Sequence, residues 1–405
     1  MNTGVGIDAI SFYSPHYYLD LKSLAAARGT DPDGYYAGLG QEKMAVPPPD
    51  EDIVTMGANA ASQILRDHAA DDVSALLLAT ESGIDQSKAA GIYIHNLLGL
   101  SDRCRIVELK QACYGATAAL QMAIPSILQR PKQKILIVAA DIARYGLGTT
   151  GEPTQGSGAV AMLIGASPRL IDFDAGAGFH TEDVMDFWRP NYRSEALVNG
   201  KASIRIYIKS LLKSWEHYQE ESGRQFDDFD RFCYHLPFSN MAKTAHRKLA
   251  AAASANASPE HLHGQIADSL TYNRLIGNSY AASLYIGLTS LLDFSGSDLA
   301  SKRLGFFSYG SGCMAEFFSG TVLPGYERGI YRDFHQALLG NRIELTVDEY
   351  EAYYRFSLPT DGRDLELPRH ETGRYRLAAI RDHQRIYRTV TSDDQELVRK
   401  PGSER

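Results

Sequence analysis

Apolar residues along this chain fall into short strand-like runs separated by stretches of helical spacing, and the alternation occurs in two successive sets. Val5 to Phe12 alternates as a strand, Ser14-Pro15 breaks it, and a helix begins near Asp20. Leu39 to Pro49 ends in three consecutive prolines, which neither a helix interior nor a central strand accepts, so it reads as a loop. Asp50-Glu51-Asp52 then puts negative charge where a helix N-terminus favours it, and Ile53 to Leu65 carries that helix. Val73 to Thr80 and Lys134 to Asp141 are unbroken apolar runs, as in parallel strands covered on both faces. Arg105 to Leu109 reads as a shorter, buried strand end. Behind it Ala116, Leu120, Ala123, Ile124 and Ile127 step by three and four, as on a core-facing helix.

Near residue 168 the pattern restarts, which marks a boundary between two halves, 1–167 and 168–405. Tyr207 to Tyr218 has helical period, with Ile208, Leu211, Leu212 and Trp215 as its core members. Phe232 to Phe238 forms a strand running into a loop. A helix is expected from Thr271 to Leu292, with Asn278 at its mouth, mirroring the helix behind Cys113. Arg303 to Cys313 supplies a closing strand and a glycine-rich turn. From about residue 331 the chain turns polar, and the last ten or so residues are expected to fray.

Composition narrows the class. A chain of 405 residues, 44% hydrophobic and 22% charged, can bury a large core, and its size alone suggests two or three domains. The net charge of −8, with no basic stripe, argues against nucleic acid. The N-terminal residues have no basic region followed by an apolar segment, and nowhere do eighteen apolar residues run together, so neither secretion nor a membrane span is expected. Cys104, Cys113, Cys233 and Cys313 have no C-x-x-C spacing, which removes a zinc site or disulfide framework and suits a reduced, cytoplasmic setting. Gly151 to Gly158 is rich in glycine, yet it lacks the strand, G-x-G-x-x-G and helix order of a nucleotide loop.

Two positions carry chemistry on local grounds. Cys113 falls at or near a helix mouth, where unpaired N–H groups and the positive end of the helix dipole favour a thiolate; a lowered thiol pKa is the expectation. Ala112, Gly115 and Ala116 leave room there for an acyl chain. Glu81 directly follows the Val73 to Thr80 strand, in the kind of loop where α/β folds collect their chemistry, although a capping or surface carboxylate is the plain alternative. His235 ends another strand, where a lone histidine is usually just a satisfied polar residue. His95 and Cys313 read as structural.

The tract Glu108-Leu109-Lys110-Gln111-Ala112-Cys113-Tyr114-Gly115 resembles the nucleophile motif of 3-hydroxy-3-methylglutaryl-CoA (HMG-CoA) synthases in the thiolase superfamily, in the version found in polyketide β-branching synthases. Glu81-Ser82-Gly83-Ile84-Asp85 is similar to the family's general-base motif, and Asp186-Phe187-Trp188-Arg189-Pro190 to its "DFWRP" segment. His235-Leu236-Pro237-Phe238 resembles its catalytic-histidine motif, Gly151 to Met162 a loop and strand beside its active site, and His383 to Arg388 a tract near the end of β-branching synthases.

The resemblance implies an α/β, thiolase-like duplicated fold, layered α-β-α-β-α, with two similar mixed-sheet halves and a homodimeric state. Glu81 and Cys113 would lie in the first half, His235 and Asn278 in the second. It implies acyl transfer through acetyl-Cys113, with Glu81 as base, His235 orienting the acceptor, and Asp186, Asn278, Tyr309 and Ser311 binding substrate. No metal and no tightly bound cofactor are implied. The substrates would be acetyl and acceptor thioesters on phosphopantetheine of acyl carrier proteins, or on CoA, and the partners donor and acceptor carrier proteins. The turn at Ser311 could offer backbone donors to a thioester oxygen or be only a tight turn. Lys243, Arg247 and Lys248 could dock a phosphopantetheine phosphate or acidic carrier helix, or form a solvated helix face. Motif details favour carrier-bound polyketide acceptors. The alternatives are a mevalonate-pathway HMG-CoA synthase, a ketoacyl synthase III-like enzyme, and a non-catalytic carrier-protein binder.

Overall fold

The computed structural model describes residues 2–390, so the expectation for the last ten residues lies outside the described residues. The chain opens with β1 (Asn2–Tyr13), β2 (Tyr17–Asp20), α1 (Leu21–Arg28) and β3 (Lys43–Val46). Next come α2 (Ile53–Ile64), β4 (Val73–Ala79), α3 (Ala90–Leu98), β5 (Arg105–Leu109), α4 (Gly115–Gln129), β6 (Lys134–Ile142) and β7 (Ser157–Ala166). After residue 168 follow β8 (Ile171–Asp174), β9 (Gly178–Thr181), a small hairpin of β10 (Phe187–Trp188) and β11 (Leu197–Val198), and α5 (Gly200–Ser222). Then come β12 (Arg231–Tyr234), α6 (Ser239–Ala252), α7 (Pro259–Gly264), α8 (Thr271–Ile276), α9 (Ser283–Phe294), β13 (Arg303–Gly310) and β14 (Met314–Val322). The C-terminal elements are α10 (Arg332–Gly340), β15 (Ile343–Glu344), α11 (Val347–Arg355), β16 (Leu365–Glu366), β17 (Tyr375–Arg381) and β18 (Gln384–Thr389).

Side-chain alternation along the strands assigns the layers. Gly57 of α2 lies against Val138 and Ala140, and Gly91 of α3 against Leu76 and Leu78, so both helices cover one face of the sheet. Gly115 of α4 rests on Ala79, and Ile286 of α9 lies beside Gly158, on the opposite face. Tyr114 and Gln121, at the start of and within α4, reach Glu316 of β14, while the neighbouring Phe317 packs its ring against Trp215 of α5. Helices α4 and α9 therefore lie between two strand layers, with α2 and α3 outside one and α5 outside the other, giving the five layers α-β-α-β-α. Each strand set is mixed: β5, β4 and β6 run parallel and β7 and β1 antiparallel, while β12 and β13 run parallel and β14 and β8 antiparallel. Pairing of β1 with β8 joins the two sets edge to edge, so they form one continuous ladder.

Several sequence expectations need correction. The proline-rich stretch is not all loop: β3 sits inside it and pairs with β2. Strand β5 is not buried. It is the edge of the large sheet, and Val107 is 40% exposed. The helix expected from Thr271 to Leu292 is two helices, interrupted where Gly277 turns into the left-handed region at φ 80°. The polar C-terminal stretch is a packed part of the fold: Tyr350, Tyr375, Leu377 and Ala379 are buried, and β15 adds to the β2–β3 ladder.

The break at Gly277 permits a close approach that positions the site. A Cβ on Gly277 would come 1.9 Å from the Gln155 carbonyl oxygen, and one on Gly156 2.3 Å from that of Ile276. Two backbones, one from each strand set, touch here because neither residue carries a side chain, and Asn278 follows directly. Gly156→Ala is expected to lower stability by about 1–3 kcal/mol, the usual cost of overpacking, read as a lower urea midpoint. An unchanged midpoint would refute this close-approach account.

Candidate active site

Strand β5 ends at Leu109, and Cys113 lies two residues before the first residue of α4. Ala112, just ahead of the cysteine, is held in the left-handed region at φ 44°, a costly conformation for alanine that sets the angle at which the thiol leaves the chain. The Cys113 thiol donates a hydrogen bond to Glu81 Oε1 at 3.0 Å. Glu81 comes from the loop after β4, so the parallel β4–β5 pair brings the two together at the C-terminal ends of its strands.

The Glu81 loop has no regular structure and is held by buried and charged groups. Asp141, fully buried at the end of β6, accepts from the Thr80 hydroxyl at 2.8 Å and from the Glu81 and Ser82 amides at 2.9 Å each, and its other oxygen accepts from the Ala281 amide at 3.0 Å. The Arg189 guanidinium donates to the Glu81 carbonyl, and Arg385 of β18 donates to the Ile84 carbonyl at 3.1 Å. Burial and the Asp141 charge push the Glu81 carboxyl above its ordinary range. Burial and the facing Glu81 also push the Cys113 thiol well up. This corrects the expectation of a lowered thiol pKa: the helix end is outweighed by desolvation and by a carboxylate, and the resting cysteine is a thiol aimed at a base.

Cys113 and His235 open into one cavity of about 260 Å³, lined also by Tyr145, Phe187, Tyr207, Asn278, Tyr280, Tyr309 and Ser311. The structure thus brings Glu81, Cys113, His235, Asn278, Tyr309 and Ser311 together. Asn278, which lines the cavity, accepts at Oδ1 from the Tyr280 amide at 2.9 Å, so its Nδ2 is not engaged by that contact. Burial lowers the His235 imidazole to about 3, so it is neutral. Asp186 does not line the cavity. Fully buried, it accepts from the Tyr309 hydroxyl at 2.6 Å and the Gly312 amide at 3.0 Å, fixing the wall from behind. In the glycine-rich turn the Gly312 amide is thus spent, and the Cys313 amide is spent on the Glu182 carbonyl; among the described residues the Ser311 amide keeps its donor free.

Lys243, Arg247 and Lys248 lie on α6, whose start brings Phe238 and Met241 to the cavity wall. Lys243 is half-buried with no carboxylate partner among the described residues, and burial, with Arg274 and Arg247 nearby, lowers its ammonium pKa. Arg247 and Lys248 are exposed. Sequence reasoning missed Arg274 here, Tyr145 and Tyr280 in the cavity wall, and the buried Asp141 behind the Glu81 loop. Asp141 had a legible signal, a carboxylate ending an apolar strand next to the Glu81 strand. Among the described residues no group of three or more His, Cys, Asp or Glu is placed to hold a metal, and no helix is long and apolar enough to cross a membrane.

Comparison with known proteins places this geometry. The family described as hydroxymethylglutaryl-coenzyme A synthase N terminal matches residues 1–168, and its C-terminal counterpart matches 171–258 and 240–356. The chain is similar to the hydroxymethylglutaryl-CoA synthase of Enterococcus faecalis, 42% identical over 95% of this chain and 99% of the relative. It is also similar to the polyketide biosynthesis 3-hydroxy-3-methylglutaryl-ACP synthase of Bacillus subtilis, 38% identical over 87% of this chain and 88% of the relative. The crystal structure of the curacin biosynthetic pathway HMG synthase in complex with holo donor-ACP superposes with a TM-score of 0.88 at 34% identity, over 95% of this chain and all of the other. The five-layer fold, the Glu81–Cys113 contact and these matches agree: the chain belongs to the HMG-CoA synthase family of acyl-transferring condensing enzymes.

Proposed function

We propose that the protein condenses an acetyl group, held on Cys113, with the ketone of a β-ketoacyl thioester to give a 3-hydroxy-3-methylglutaryl-type product. The observation that carries this is the 3.0 Å contact between the Cys113 thiol and Glu81, beside a cavity that also holds a neutral His235. The thiol attacks the donor thioester carbonyl and its proton passes to Glu81, and the donor leaves as its free thiol, which takes up that proton. The acetyl methyl then lies two bonds from sulfur, within reach of the same carboxylate, which removes a methyl proton. The enolate carbon attacks the acceptor ketone, and the new alkoxide takes back the proton that Glu81 removed, which leaves Glu81 ionised again. His235 and the Asn278 Nδ2 stabilise that oxygen. Water then cleaves the acyl-cysteine bond, freeing a carboxylate and the thiol.

Both thioester carriers bear phosphate, and the half-buried Lys243, without a carboxylate partner among the described residues, suits either together with Arg247 and Arg274. The 42% identity to a CoA-type synthase over nearly the whole chain supports CoA thioesters as the substrates. The second reading, β-branching on carrier-bound chains, is supported by the motif details and by the relative solved with a donor carrier protein. We further infer a homodimer. The β5 edge is unpaired among the described residues, and Val107 on it, with Ile92 on α3 and Met122 on α4, is exposed. The four free cysteines suit a reducing, cytoplasmic setting.

Acetyl-CoA and acetyl-carrier protein, each incubated separately with the protein, should leave the same acetyl adduct on it at different rates, followed by intact mass. Rapid acetylation by acetyl-CoA and slow acetylation by the carrier supports the first reading, and the reverse order supports the second. Cys113→Ser should take no acetyl from either.

Glu81→Gln should still accumulate full acetyl-Cys113, though more slowly, while condensation falls by roughly 10²–10⁴-fold. Near wild-type product formation in that variant would refute the assigned base. Because Glu81 must be ionised to act and its pKa is raised, condensation should fall as pH drops through a limb well above the ordinary carboxylate value of about 4. A kcat/KM profile flat down to pH ~5 would contradict this.

Light scattering at micromolar concentration should give twice the chain mass, and Val107→Lys should shift it towards the monomer.

A further inference from the structure

His235 and Ser283 meet in a geometry that fixes where the imidazole keeps its proton. Ser283 is the first residue of α9, and its Oγ lies 2.7 Å from His235 Nδ1. The same Oγ accepts the Leu236 amide proton at 3.1 Å, from the residue directly after the histidine. A serine hydroxyl has one proton to give. If Nδ1 carried hydrogen, Oγ would accept twice, and its own proton would be stranded in a site where Ser283 is 1% exposed. If the hydroxyl donates to Nδ1, every group in the cluster is satisfied.

We propose that Ser283 is a positioning residue that locks His235 in the tautomer with bare Nδ1 and protonated Nε2, so that an N–H donor faces the acceptor ketone. The inference rests on the proposed condensation for its purpose, though its evidence is independent of any substrate.

The surroundings support the lock. The ring cannot slide, because its backbone is fixed on both sides: the His235 amide donates to the Phe307 carbonyl at 2.8 Å, and the Tyr207 hydroxyl donates to the His235 carbonyl at 2.8 Å. The N-terminal end of α9 sits at Nδ1, and its dipole disfavours an imidazolium there. With Nδ1 spent on serine, Nε2 is the ring nitrogen left to the cavity that the histidine lines. A neutral imidazole presenting Nε2–H stabilises an alkoxide forming opposite it while keeping its own proton, so no second acid is needed at that point. The opposite tautomer would present a lone pair to the ketone oxygen and repel it.

Ring-15N histidine labelling of the full-length protein, with the His235 signals assigned through His235→Gln, reads the tautomer without substrate. A pyridine-type Nδ1 and a pyrrole-type Nε2 are expected at neutral pH; a pyrrole-type Nδ1 overturns the proposal. Ser283→Ala should give mixed tautomer signals, with KM for the β-ketoacyl thioester raised and condensation slowed by roughly 3- to 10-fold in all. Acetylation of Cys113 should proceed at the wild-type rate in that variant, and Ser283→Thr, which keeps the hydroxyl, should restore both readouts. A Ser283→Ala protein with wild-type ring signals and acceptor KM also overturns it. Absence of condensation in the wild type, with the expected ring signals, would instead count against the functional reading and leave the lock standing.

Discussion

Asp141 spends one carboxylate oxygen on the Thr80 hydroxyl and the Glu81 and Ser82 amides, and the other on the Ala281 amide, all from a position with no solvent exposure. Burying a carboxylate is costly unless donors replace its water, and here four do. Those donors come from two places the fold must bring together, the base loop after β4 and the segment between Asn278 and α9. The same group therefore bears on both the position of Glu81 and its basicity. It anchors the Glu81 backbone, and burial together with its charge pushes the Glu81 carboxyl up, the direction that the proposed removal of a methyl proton needs. Geometry and proton affinity are linked in this site, because one carboxylate contributes to both.

Proton placement elsewhere follows from the same shortage of positive charge. Burial first, then Glu81, Asp141 and Asp186, raise the Cys113 thiol, and among the described residues Arg189 is the cation that lowers Glu81. The start of α4 does not offset burial and three carboxylates, so sulfur keeps its hydrogen, pointed at Glu81. His235 is neutral for a different reason: burial alone lowers it. One side of the cavity thus holds a carboxyl of raised proton affinity and the other a neutral imidazole, an asymmetry that suits the proposed formation of an enolate at one carbonyl and an alkoxide at another.

Strong local signals were legible in the sequence. The apolar runs of β4, β6 and β7, the Asp52-capped start of α2, the strand ends bearing Glu81 and His235, and the cysteine ahead of α4 all have patterns that depend on neighbours within a few residues. What was not legible depends on contacts across the chain. The pKa of Cys113 is raised by its burial and by Glu81, 32 residues away, and no helix-end argument contains either. The break at Gly277 serves a backbone contact with Gln155 and Gly156, which helical periodicity cannot register. Asp186 carried the right motif, yet the structure puts it behind Tyr309, because a motif marks a neighbourhood and says nothing of which side chain faces the cavity.

The polar composition after residue 331 masked the part this region plays. The loop bearing Glu81 and the loop bearing Tyr145 border the site, and a loop keeps a fixed shape only where its backbone groups find partners outside it. The C-terminal elements supply many of those partners. Arg385 of β18 holds the Ile84 carbonyl of the base loop, and its neighbour Tyr387 reaches Asp52 at 2.6 Å, tying the hairpin to the cap of α2. Tyr354 of α11 donates to the Tyr145 carbonyl at 2.6 Å, Arg144 returns a bond to the Tyr354 carbonyl, and Tyr350 bonds both Gln155 and Glu152. Each of these residues sits on an element whose other face meets water, which is why the region reads as polar and solvent-like in sequence. Its inward face nevertheless clasps the Glu81 and Tyr145 loops of the first 167 residues, so the positions of both depend on contacts from the last described elements.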